Sequence, residues 1–92
     1  LLIISNNMKK VKLLRILIKE KALVRLLRTI GNKEYHTREL LELLGEYGYG
    51  HKLLLKAESN GLVERKKVKN KIYNKLTKEG KEIIKIAKEI GV

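Results

Sequence analysis

The chain has 92 residues, of which 22 are Lys or Arg and 10 are acidic, so its formal net charge is +12. This length excludes a second independent domain, and the lack of Cys excludes disulfides, thiolate nucleophiles and cysteine metal sites. Because so large a positive excess repels itself, we expect a polyanionic partner, with nucleic acid first and an anionic membrane surface second.

We expect no membrane or export segment in the N-terminal part of the chain. Its opening Leu-Leu-Ile-Ile is too short for a secretion signal, and Arg15 interrupts the best apolar stretch, from Val11 to Ile18. We predict an N-terminal extension over residues 1–8 and a single domain over residues 9–92. The expected location is the cytoplasm, in association with the nucleoid.

The first predicted element is a helix over residues 9–30, which contain no Gly or Pro. Its second half predicts one buried face, because four aliphatic residues recur there at helical spacing: Leu23, Leu26, Leu27 and Ile30. The stretch from Val11 to Ile18 is apolar around nearly the whole helical wheel. Since one small domain does not cover so wide an apolar surface, we expect a second copy of the chain to cover it.

The middle of the chain predicts a short strand and two helices. Residues 34–36 are extended, and Thr37 is a suitable cap for a helix over residues 38–44, which Gly45 ends. A third helix follows over residues 49–59, and Asn60-Gly61 provides its left-handed stop.

The last third of the chain predicts a hairpin and a final helix. The period shifts to two over residues 62–76, with a turn at Lys69-Asn70, and Thr77 then caps a helix over residues 78–90. The predicted fold class is mainly α with a small β-hairpin (α+β). The apolar stripes of the first and last helices predict a homodimer interface made of Val11, Leu14, Leu17, Ile18, Ile83, Ile86 and Ile90.

Three motifs carry a family resemblance: YHTREL at residues 35–40, NGLVER at residues 60–65 and LTKEG at residues 76–80. In their order and separation they resemble the winged helix-turn-helix DNA-binding domain of the prokaryotic group that includes the MarR-like, PadR-like and ArsR-like regulators. The resemblance covers residues 21–90. It implies that the third helix is a recognition helix and that the hairpin is a wing. The Lys- and Glu-rich composition, typical of hyperthermophile proteins, favours an archaeal source.

The hairpin gives the sharpest functional indication, because residues 65–78 contain seven basic residues and no acidic one. Lys also protects an edge strand against aggregation, but a merely solvated hairpin would usually mix the two signs. We therefore predict DNA phosphate contacts along the wing. The residues concerned are Arg65, Lys66, Lys67, Lys69, Asn70, Lys71 and Lys75.

In the helices, the resemblance places outward residues of the third helix in the major groove. These are Tyr49, His51, Lys52 and Lys56. The alternative is that Tyr49 packs inward and the polar residues only solubilise the helix. At the start of the second helix, Thr37 and Arg38 are predicted to hold a phosphate, whereas an ion pair of Arg38 with Glu42 is equally compatible with the spacing.

The basic residues predict binding of double-stranded DNA, and the resemblance implies a transcription regulator that binds a specific sequence. The apolar segment of the first helix predicts that this regulator is a homodimer. One alternative is an architectural protein that coats DNA without sequence preference, because 17 Lys stand against 5 Arg. Another is a protein-interaction module that docks through residues 11–18. We predict no enzyme, cofactor, small-molecule ligand or metal, since His36 and Glu39 fall short of the three or four ligands of a zinc site.

Overall fold

The computed structural model describes the backbone of residues 2–91 and the side chains of residues 10–91. The described chain forms α1 (Leu2–Lys19), α2 (Lys21–Ile30), β1 (Tyr35–His36), α3 (Thr37–Leu44), α4 (Tyr47–Ser59), β2 (Val63–Val68), β3 (Lys71–Leu76) and α5 (Lys78–Ile90). The predicted class, mainly helical with a small hairpin, is confirmed. None of these described helices combines the length and the hydropathy that a membrane span requires.

The N-terminal helix differs from the prediction of one helix over residues 9–30. Glu20, with φ −115° and ψ 63°, separates α1 from α2. Because the chain turns there, α1 packs against both α2 and α5 and buries Leu13, Ile16 and Leu17, which a straight helix would carry past the domain. The expected extension, residues 1–8, is helical from Leu2 onwards, while Leu1 and the side chains of residues 1–9 lie outside the described residues.

The core is aliphatic and is centred on α2. The predicted stripe from Leu23 to Ile30 is fully buried, because α2 packs against α1, α3, α4 and α5 at once. Leucines of α3, α4 and the turn before β2 complete the core, together with Ile83 of α5. Leu and Ile thus fill the space that aromatic residues would otherwise occupy.

The sheet is antiparallel, in the order β1-β3-β2. Val63 pairs with Leu76 and Val68 with Lys71, so that Lys69 and Asn70 form a two-residue turn. Since side chains alternate between the two faces of a strand, the face of β2 that buries Val63 also carries Arg65 and Lys67. The basic residues of the hairpin are therefore divided between a face towards the helices and an outer face.

Three of the predicted helix boundaries depend on single residues. Thr77 caps α5, accepting a hydrogen bond from the Gly80 N–H at 3.2 Å, and Gly61 follows α4 with a φ of +74°. Thr37 is not the cap of α3 as predicted. Instead His36 Nδ1 accepts from the Glu39 N–H at 3.4 Å, because the Thr37 hydroxyl is bound to the wing.

Candidate nucleic-acid interface

Helix α4 presents an exposed face at its N-terminal half. Gly50, Leu54 and Ala57 are buried and Leu53 packs partly against the core, whereas the other residues between Gly50 and Ala57 are exposed. Tyr49, His51 and Lys52 are all exposed, which rules out the alternative in which Tyr49 packs inward. Helix α4 begins two residues earlier than predicted, at Tyr47, and this adds a second exposed tyrosine to its first turn.

Lys56, also exposed, has a partner within the chain. Its Nζ donates to a carboxylate oxygen of Glu20 and forms an ion pair at the junction of α1 and α2. On the same side of α4, Lys12 Nζ donates to the Asn60 carbonyl at 3.3 Å. Lys56 therefore leans towards α1, and its position indicates a role in joining α4 to that helix.

A groove of about 580 Å³ separates the start of α3 and α4 from the wing. Arg38, Tyr47 and His51 line it from the helices, and Arg65, Asn70 and Lys71 line it from the hairpin. Three of these side chains are cationic, and no acidic side chain of the described residues lines this groove. A strip of cations beside an exposed helix is the arrangement that a phosphate backbone requires.

A hydrogen-bond network fixes the wing to the start of α3. Arg65 Nε donates to Asn74 Oδ1 at 2.8 Å, and Arg65 Nη2 donates to Thr37 Oγ1 at 3.2 Å. Asn74 is fully buried, and its Nδ2 donates to the Tyr35 carbonyl at 3.0 Å and to Thr37 Oγ1 at 3.1 Å. The Thr37 hydroxyl in turn donates to the Ile72 carbonyl at 3.3 Å. Thr37 and Arg65, predicted as phosphate contacts, thus also join the wing to the start of α3.

Asn74 was not among the predicted site residues, although the sequence contains an indication of it. It lies midway between Ile72 and Leu76 and so shares their face of β3. An amide on the inward face of a strand needs buried hydrogen-bond partners. That requirement marks Asn74 as structurally important, but only the strand register identifies its partners.

Arg38 forms the ion pair that was the alternative to a phosphate contact. Its Nε lies 3.5 Å from Glu42 Oε1, as the spacing of four residues allows. Both side chains are more than half exposed, and an exposed pair of this kind contributes little stability. The guanidinium also lines the groove, so a phosphate there competes with Glu42 for it.

The remaining basic residues of the wing differ in their surroundings. Lys75 Nζ lies 3.4 Å from Glu64 on the outer face and is partly neutralised. Lys66 shares that face, while Lys67 lies on the face towards the helices. Lys69 occupies the turn with a left-handed φ of 58°. Among these lysines Lys71 lines the groove, Lys69 lies beside it at the tip of the hairpin, and Lys67 shares the strand face of Arg65.

The predicted dimer surface is confirmed as exposed only in part. Leu17 and Ile83 are 6% and 0% exposed, so their assignment to an interface is wrong: the turn at Glu20 directs α1 onto α5 and buries both in one chain. Val11, Leu14, Ile18 and Ile90 are exposed, and Ile86 is half-buried. A depression of about 610 Å³ lies beside Ile18 and Ile90.

Solved structures of bacterial regulators superpose on nearly the whole chain. A HlyU transcriptional regulator from Vibrio vulnificus CMCP6 has 23% identity and a TM-score of 0.74, covering 94% of this chain and 92% of its own. Wild-type MarR from E. coli, in the apo form, has 26% identity and a TM-score of 0.68, covering 96% of this chain and 72% of its own. A MarR mutant from E. coli complexed with operator DNA has 24% identity and a TM-score of 0.69, covering 96% of this chain and 69% of its own.

No protein-family model matches the chain, and no curated protein matches it. The structural likenesses nevertheless confirm the winged helix-turn-helix fold and its resemblance to MarR-like regulators. Helices α3 and α4 form the helix-turn-helix, and β2 with β3 forms the wing.

Proposed function

We propose that this winged helix-turn-helix chain binds double-stranded DNA as a transcription regulator. The observation that carries the proposal is the groove between α4 and the wing, which is lined by Arg38, Arg65 and Lys71 without an acidic side chain among the described residues. Helix α4 enters the major groove through its exposed face, and the tip of the wing contacts the adjacent backbone. The MarR mutant complexed with operator DNA supports DNA as the partner.

The regulator acts by occupancy and performs no chemical reaction. Its net charge of +12 draws the chain to DNA. The groove sets the distance between α4 and the wing, which contacts the DNA backbone. The network of Arg65, Asn74 and Thr37 maintains that distance in the free protein. A bound regulator excludes or recruits other proteins at a promoter, which places it on the nucleoid in the cytoplasm.

We further propose that two copies associate through the exposed apolar residues of α1 and α5. Val11, Leu14, Ile18 and Ile90 are exposed, and two of them, Ile18 and Ile90, line the depression described above. A monomeric soluble protein rarely exposes a contiguous apolar patch of this kind without a partner. A two-fold arrangement places two α4 helices on one face of the DNA, about 34 Å apart, one helical turn from each other.

The dimer is tested by Ile18→Glu. The Ile18 side chain is 69% exposed, so the substitution leaves the fold of one chain intact and places a charge in the proposed seam. We expect a monomer in light scattering coupled to size exclusion, with unchanged helical circular dichroism.

Leu43→Glu is the matched control, because Leu43 is also an exposed aliphatic residue but lies on α3. It is expected to remain dimeric. A dimeric Ile18→Glu protein, or a monomeric wild type, would contradict the proposed interface, and a monomeric wild type would favour a protein-interaction module instead.

A second candidate, the architectural protein that coats DNA, is favoured by one observation. The exposed face of α4 contains Lys52 but no Arg, and Arg makes the commonest specific contact to guanine. Repeated selection of bound duplexes from a random pool separates the two functions. A regulator enriches a palindrome with half-sites one helical turn apart, whereas a coating protein leaves the pool unenriched.

A further inference from the structure

The exposed face of α4 lacks most of the side chains that read base edges by hydrogen bonds. From Tyr47 to Ser59 the polar side chains are those of Tyr, His, Lys, Glu and Ser, and there is no Arg, Asn or Gln. Bidentate contacts to guanine come from Arg or Lys, and those to adenine come from Asn or Gln. If α4 enters the major groove as proposed above, it carries no side chain for the bidentate contact to adenine, and an apolar contact is a further source of selectivity.

Leu55 supplies an apolar group on that face. Its side chain is 42% exposed, whereas its neighbour Leu54 is fully buried in the core. Leu55 follows His51 by four residues and Lys52 by three, so the three side chains lie on adjacent positions one turn apart. Leu55 is not part of the buried core. Its apolar side chain is removed from water only when a partner covers it.

Helix α4 is also able to approach the DNA closely. Gly48 lies two turns before Leu55 on the same face, and a Cβ added there meets no atom within 4 Å. At this position α4 therefore carries no side chain that would hold the helix away from the DNA backbone. Because Gly48 and Leu55 share one face, a helix that lies along the groove with Gly48 close to the DNA also turns Leu55 towards the base edges.

We infer that Leu55 contacts the 5-methyl group of a thymine and so makes α4 selective for thymine at that position; this rests on the proposed function. Among the bases, thymine presents an apolar group in the major groove, whereas the other edges present hydrogen-bond donors or acceptors. An apolar side chain against those polar edges removes their water without replacing its hydrogen bonds. Leu55 thus favours thymine and disfavours the other bases through one contact.

The test removes the methyl group while keeping the base pair. The duplex that wild type enriches from a random pool is resynthesised with deoxyuridine in place of thymidine, one position at a time, and affinities are measured by fluorescence anisotropy. Loss of one buried methyl is expected to weaken binding about fourfold, equivalent to about 0.8 kcal/mol. The Leu55→Ala protein should bind the thymidine and deoxyuridine duplexes equally at the position concerned.

Leu43→Ala is the matched control, because it also truncates an exposed leucine but on α3, and it should retain the fourfold preference. Equal binding of both duplexes by wild type overturns the inference, as does a preference that survives in Leu55→Ala. In both cases the DNA binding of the proposed function stands. Failure of wild type to bind any duplex overturns the proposed function and the inference with it.

Discussion

Gly80→Ala is expected to destabilise the domain by about 3 kcal/mol, the upper end of the usual range for overpacking. A Cβ on Gly80 would lie 2.2 Å from the carbonyl oxygen of Leu62, which is backbone and has no rotamer to change. That same oxygen accepts a hydrogen bond from the Thr77 N–H at 3.0 Å. Relief of the clash therefore requires the start of α5 to move away from the turn between α4 and β2, which breaks this hydrogen bond.

The measurement for Gly80→Ala is urea unfolding followed by circular dichroism. Gly48→Ala is the control, because Gly48 also lies in a helix but has open space around its Cβ. It should gain up to about 1 kcal/mol from the better helix propensity of Ala. If Gly80→Ala is as stable as wild type, then α5 does not pack on Leu62 as closely as described.

Removal of charge from the wing is expected to weaken DNA binding by about tenfold or more at moderate salt and to flatten its salt dependence. The substitutions to Ala are at Lys66, Lys67, Lys69 and Lys71. For each phosphate that the variant no longer neutralises, the slope of log K against log salt should fall by about 0.9, because fewer counterions are released on binding. The weakening should be similar for all DNA sequences, since phosphate groups carry no base information.

A matched variant removes the same number of lysines from α5. Lys78, Lys81, Lys85 and Lys88 are all exposed there, and their substitution by Ala lowers the net charge equally. Its slope should change much less than that of the wing variant. Equal effects in the two variants would mean that net charge alone attracts DNA and that the wing makes no contact of its own.

The parts of the fold that could be predicted are those governed by local periodicity and turn chemistry. The stripe of α2, the stop at Gly61 and the cap at Thr77 each depend on residues within a few positions of one another. The break at Glu20 does not, because Glu is a good helix former and the segment contains no Gly or Pro. The break accompanies the packing of α1 on α5, which lies some sixty residues further along the chain, and local spacing does not encode that contact.

The same distinction applies to the candidate site. Its charge is visible in the composition of residues 65–78, and the exposed positions of His51 and Lys52 follow from the inner face of α4. The use of Arg65 in a network with Asn74 depends on strand register, and the pairing of Lys56 with Glu20 joins residues 36 positions apart. Long-range pairings of this kind decide which of many basic side chains remain available to DNA, and local spacing does not encode them.

The most direct test of DNA binding is a fluorescence anisotropy titration of a mixed-sequence duplex with the wild-type protein across a series of salt concentrations. We expect tight binding at low salt and a slope of log K against log salt of about −5 or steeper, corresponding to about six phosphate contacts per dimer. Absence of binding at low salt, or an affinity independent of salt, would contradict the assignment of the groove and wing to DNA.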